Sequence, residues 1–129
     1  MNVKLFVAIG AAVSVLYGTA FLLIPGFAAA FYGNATPNAP TILAVRFYGV
    51  AMLSLGLVVW FVRETSDWTA MRGLLLGLSI GNTVGVVVSI WGTVTGIMNA
   101  MGWSVVLIYL VLLAGYVYYL AAGRADAGI

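Results

Sequence analysis

Gly73-Leu-Leu-Leu-Gly77-Leu-Ser-Ile-Gly81-Asn-Thr-Val-Gly85-Val-Val-Val-Ser89-Ile-Trp-Gly92 opens the run that decides the fold. The run continues to Gly123, 51 residues without a single charge. As one helix it would be about 75 Å long at 1.5 Å per residue, whereas a bilayer core is about 30 Å thick. It must therefore fold back on itself. The break falls in Gly92–Gly102, GTVTGIMNAMG, where three glycines, two threonines and Asn99 favour a turn. Two spans result, over about 71–92 and 101–122.

The N-terminal half reads the same way. Leu5 to Ile24 is 20 uncharged residues, about 30 Å of helix. With Lys4 before it and Ala28-Ala29-Ala30 after it, this run also sketches a signal peptide. Its apolar part is longer than the roughly 7–15 residues of a signal core, and further spans follow, so it is read as a span over about 5–25. Pro25-Gly26 ends it, because proline lacks the N–H that a helix ladder needs. Asn34–Pro40, NATPNAP, is read as a turn, and a further span covers about 41–62 with Arg46 as its one charge.

Composition agrees with this reading. The chain is 64% apolar and 6% charged, with a mean hydropathy of +1.17, too little polar surface for a water-soluble domain. Barrel strands would alternate and turn far more often. The sequence therefore predicts an all-α, four-helix transmembrane bundle in one domain, 1–129. Lys4, Arg63, Arg72 and Arg124 fall on one side of it, which by the positive-inside rule puts both termini in the cytoplasm. Trp60 and Trp68 flank the cytoplasmic loop, Trp91 and Trp103 the outer one, as interfacial belts do. Glu64, Asp67 and Asp126 are read at the cytoplasmic face.

Small residues carry the sharpest motif. Gly73, Gly77, Gly81, Gly85 and Ser89 recur every four residues, a spacing that lets helix backbones approach closely in lipid. Gly10, Ser14 and Gly18 repeat the theme in the first span, and the simplest expectation mates the first and third spans through these faces. The stripe could instead dock a second copy or another membrane protein. Asn82, mid-span, should face protein, since an unpaired amide is costly in hydrocarbon; it is read as an interhelical hydrogen-bonding group, with a ligand contact as the alternative. Arg46 has no acidic residue on its side, so it snorkels to lipid phosphates or forms an anion or headgroup site with Tyr32, Tyr48 or Asn99. Tyr109 and Tyr116, seven apart, share a helix face that could touch a pigment, quinone or sterol ring; the ordinary role of such tyrosines is core or belt packing.

The absences narrow the chemistry. There is no His and no Cys, hence no imidazole or thiolate ligand for haem or zinc. No acidic residue sits inside a span, which removes proton relays and acid/base pairs, and the serines have no base to activate them. Five scattered basic residues make no nucleic-acid footprint. The chain is expected not to be an enzyme and to hold no metal or cofactor beyond bound lipid.

In size and span count the chain resembles the small multidrug transporters, whose mechanism depends on a mid-membrane glutamate in the first span. Here that position offers only Ser14. Pro25, Arg46-Phe-Tyr-Gly49 and Gly102-Trp103 resemble stretches of small uncharacterised four-span proteins of the bacterial inner membrane, which implies that location and no activity. The favoured expectation is an accessory subunit of a larger membrane complex, supplying helix and lipid contacts, with other membrane proteins or itself as partner. The alternative is a small channel or carrier for an uncharged or lipophilic solute.

Overall fold

The computed structural model describes residues 1–126 and residue 128, with Asp126 described by its backbone alone. The side chain of Asp126, read above as cytoplasmic, lies outside the described residues. The chain is all-helical: α1 Val3–Leu23, α2 Pro25–Phe31, α3 Ala39–Val62, α4 Trp68–Val94 and α5 Gly102–Asp126, with no strand among the described residues. Four of these, all but α2, are long and apolar enough to cross a membrane.

Local chemistry explains the boundaries. Asn2 caps α1 by accepting from the Leu5 N–H at 2.9 Å, and Asn38 caps α3 by accepting from both the N–H and the hydroxyl of Thr41 at 2.9 and 2.7 Å. Asp67 caps α4 through the Thr69 N–H. Each satisfies a donor that the first helical turn leaves free. Pro25 ends α1 but also begins α2, because a missing N–H costs nothing at the first helical position. The sequence reading took this stretch only as the end of a span; the short helix it starts was not foreseen. Gly123 takes φ 78° and breaks the last helix just before Arg124.

The four long helices form two pairs, α1 against α3 and α4 against α5, while α1 and α5 touch along a smaller face. The first and third spans, α1 and α4, are not mated through their glycines. Instead Gly18 meets α3: a Cβ on Gly18 would lie 2.5 Å from the Leu53 nitrogen and 2.8 Å from the Gly49 carbonyl oxygen. A Cβ on Gly49 would reciprocally lie 2.8 Å from the Gly18 oxygen, and one on Gly56 would press on the backbone of Val15 and Ala11. The pairing departs from expectation because a small-residue stripe specifies close approach without specifying a partner, and the shortest connection favours neighbours in sequence.

The pairs close on each other at the end holding the N-terminus and the 63–67 loop. Val3, Phe6, Val7, Val59, Met71 and Tyr116 belong to one buried cluster there. Phe6 meets Tyr116 edge-on at 5.4 Å and fills the space over Gly115, where a Cβ would overlap its ring. The Tyr119 hydroxyl donates to the Met1 carbonyl at 2.6 Å. Around this core lie the charges: Lys4 reaches Glu64 at 3.9 Å and donates to its carbonyl at 3.2 Å, Arg63 pairs with Glu64 at 3.3 Å, and its guanidinium sits 3.8 Å over the Trp60 ring. At the far end the pairs are tied by Asn99, whose N–H and amide donate to the carbonyls of Tyr32 and Phe31, each at 3.0 Å.

Candidate functional site: a cavity between the helix pairs

Closed at one end by the core and tied at the other by Asn99, the two pairs part between. Between them lies a half-open cavity of about 970 Å³, at the upper end of the roughly 300–1,000 Å³ range of small-molecule sites; Gly73, Gly77 and Gly81 on its wall are exposed. All four long helices line it. On α4 the lining runs from Gly73 to Gly92, about 28 Å of helix at 1.5 Å per residue. None of the lining residues is charged.

The wall on α4 is the glycine stripe. Nothing lies within 4 Å of a Cβ built on Gly73, Gly77 or Gly81, so these positions bare backbone to the cavity instead of to another helix. Gly85, the next member, lies under the Tyr109 ring, 2.7 Å from a Cβ to its nearest carbon. The last, Ser89, is buried and donates within its own helix, to the carbonyls of Gly85 at 2.7 Å and Val86 at 3.1 Å. The opposite face of α4, with Met71, Leu75 and Ser79, is buried, and Asn82 and Ser89 are buried at the cavity's edge.

Asn82 borders the cavity but does not offer it a free amide. The side chain is 8% exposed; Nδ2 donates to the Leu78 carbonyl at 2.7 Å, and Oδ1 is sealed from solvent without a partner, as is Ser79 Oγ. The interhelical hydrogen bond expected of Asn82 is therefore not formed; the amide bonds back to its own helix, as Ser and Thr often do. Of the first-span residues, Gly10 and Ser14 line the cavity, and Gly10 leaves room for the Tyr116 hydroxyl, into which any Cβ would run. Gly18 lies outside it, in the α1–α3 interface.

Arg46 does not join the cavity. It is exposed on α3 and does not line the cavity, while Tyr48, two residues on and so about 200° around the helix, lines the half-open cavity. Asn99 is engaged with Phe31 and Tyr32. The anion site imagined from Arg46 with Tyr32, Tyr48 or Asn99 is thus not assembled; the arginine faces outward, where its long side chain can reach lipid headgroups.

What sequence reasoning missed is a cluster of tyrosines in the half of the cavity nearer α2. Tyr17 of α1, Tyr32 after α2, Tyr48 of α3 and Tyr109 of α5 all line it. The Tyr48 and Tyr109 hydroxyls are hydrogen-bonded to each other at 3.1 Å across the cavity. Phe21 sits between neighbours, its ring tilted on Tyr48 at 5.5 Å and edge-on to Tyr17 at 5.8 Å and Tyr32 at 6.4 Å. Burial, then the adjacent Tyr17 hydroxyl, pushes the Tyr32 phenol above its ordinary titration range, so it is a neutral donor and acceptor at any physiological pH. A usable signal was present: Tyr17, Tyr48 and Tyr109 lie well inside their spans, away from the ends where belt tyrosines belong. Tyr109 and Tyr116, singled out for a ring contact, both line the cavity, with Tyr116 at its charged end.

A smaller recess of about 440 Å³ adjoins the main cavity and shares Phe21, Tyr32, Tyr48, Ile97 and Met98 with it. No group of three or more potential metal ligands occurs among the described residues. No family model matches this chain, and neither a curated protein nor a solved structure does.

Proposed function

We propose that this protein is a membrane carrier or binding protein that holds one lipophilic molecule between its two helix pairs. The observation that carries the reading is the cavity itself: about 970 Å³, uncharged, and walled on one side by glycines that pack against nothing. A void of this size between helices forfeits the van der Waals contacts that drive helix association in lipid. An apolar occupant restores them. The α3 and α4 helices share no packed face beyond their loop-linked ends, which supplies a lateral route from bilayer to cavity.

The accessory-subunit reading rested on abundant packing motifs and a scarcity of reactive groups. Gly73, Gly77 and Gly81 line the cavity and pack against nothing within 4 Å, which favours a ligand there. Lys4, Arg63, Arg72 and Arg124 gather at one end, and on the positive-inside rule we place that end in the cytoplasm, in a bacterial inner membrane, with Arg46 toward the outer leaflet.

Purification in mild detergent followed by native mass measurement tests the reading. The expected result is a chain carrying one small lipophile in stoichiometric amount. Stoichiometric membrane proteins with no small molecule would instead favour the accessory subunit.

A further inference from the structure

Resting on the reading of the cavity as a lipophile site, we infer that its occupant is an uncharged amphiphile with a single hydroxyl or carbonyl head, bound head toward the Tyr17–Tyr32–Tyr48–Tyr109 cluster and hydrocarbon body along the α4 glycine wall. Polarity is distributed unevenly over the cavity. The half nearer α2 holds four phenol hydroxyls; in the other half Gly73, Leu74, Gly77, Leu78 and Leu112 present hydrocarbon and bare backbone, with the Tyr116 hydroxyl, seated against Gly10, as the one phenol there.

The hydroxyls are not all used. Each phenol carries one proton and two acceptor lone pairs. In the Tyr48–Tyr109 hydrogen bond at 3.1 Å one hydroxyl donates and the other accepts, so the acceptor's own proton remains to be given. Tyr17 and Tyr32 add two more phenols beside that pair. In a hydrocarbon setting a hydroxyl proton without an acceptor is unfavourable, and a ligand carbonyl or hydroxyl satisfies it. A hydrocarbon cannot.

Charge on the head is excluded by the same inventory. Among the described residues no lysine, arginine, aspartate or glutamate lines the cavity, and an ion in such surroundings has nothing to offset its lost hydration. The basic residues nearest in sequence to the lining, Arg72 before Gly73 and Arg46 two before Tyr48, are both exposed and outside it. A phosphate or carboxylate head therefore has no seat there. The depth suits a long body: the lining extends about 28 Å along α4, and over the roughly 12 Å from Gly73 to Gly81 bare backbone gives a smooth surface on which methyl branches or fused rings can lie flat.

The test uses the full chain in nanodiscs and three probes that share one branched skeleton: phytanol, phytane and, at neutral pH, ionised phytanic acid. The alcohol is expected to bind about tenfold tighter than the alkane, the effect of about 1.4 kcal/mol of hydrogen bonding, and tighter still than the acid. Tyr48→Phe with Tyr109→Phe should bring the alcohol to the alkane's affinity and leave the alkane unchanged; Tyr17→Phe gives an independent check should the double variant misfold. Equal binding of alcohol and alkane by the wild-type chain overturns the head assignment while leaving the cavity reading intact. Tightest binding of the acid overturns it in favour of an anionic head. Failure of all three probes to bind would remove the cavity reading as well.

Discussion

Two glycine faces of this protein have the same sequence character and opposite fates. Gly18, Gly49 and Gly56 bring α1 and α3 together until a Cβ on any of them would fall within 3.0 Å of the other helix's backbone, whereas Gly73, Gly77 and Gly81 on α4 meet nothing within 4 Å. In the first case a missing side chain is replaced by another helix. In the second it is left as space. The contrast teaches that small-residue spacing reports only where backbone is bared; what covers it is decided by connectivity and by the residues on the facing helix.

The comparison can be broken most forcefully at Gly49. Leucine there must displace the Leu22 nitrogen and the Gly18 carbonyl, at 2.7 and 2.8 Å from the Cβ position, and backbone cannot rotate away. A loss of about 3 kcal/mol is expected, at the upper end of overpacking costs, read as a collapsed thermal midpoint and an aggregated size-exclusion profile. A well-folded Gly49→Leu chain would mean that α1 and α3 are not in intimate contact.

Gly115→Ala should be milder, about 1–3 kcal/mol, because the obstacle is the Phe6 ring, and a ring can tilt. Phe6→Leu should recover part of that loss in the double variant, a coupling that a thermal-shift cycle measures.

At Asn82 the effect should be smaller. Its Oδ1 is already without a partner and its Nδ2 bonds only to its own helix, so Asn82→Leu exchanges an orphaned polar group for hydrocarbon and should alter stability by no more than about 1 kcal/mol. A loss of several kcal/mol would show that the amide has an interhelical partner after all.

Smallest of all should be the effect of pH on ligand affinity. Tyr32's phenol is raised by burial, so it is neutral below the ordinary tyrosine value of about 10 and remains so above it; the favourable contribution of the neutral form is lost only as the pH climbs through the raised value. Phytanol affinity should be flat from about pH 5 to 9. A transition in that window would point to a different titrating group.

Much of the fold was legible in the sequence because hydrophobic length is a one-dimensional quantity. The charge-free runs announced four long helices, Pro25 the end of the first, and the turn around Asn99 the return of the last. The pairing was not legible, since the stripes on α1 and α4 are interchangeable as patterns, and only the structure shows that Gly18 seats on Gly49. The site was legible in pieces. Tyr109 and Tyr116 could be placed on one face, yet their convergence with Tyr17, Tyr32 and Tyr48 depends on how two helix pairs splay, which no local pattern encodes. Arg46 misled for a related reason: proximity in sequence to Tyr48 is, on a helix, nearly opposite orientation.

The central claim is that the α4 glycine face is kept bare for a molecule and not for a helix. Gly77→Leu with Gly81→Leu adds side chains into the cavity where a Cβ meets nothing within 4 Å, and glycine in a helix interior is itself unfavourable by about 0.5–1 kcal/mol relative to alanine. Measured side by side in nanodiscs, the double variant is predicted to keep the wild-type thermal midpoint or exceed it while losing phytanol binding. Unimpaired binding, or unfolding as severe as that of Gly49→Leu, would contradict the account.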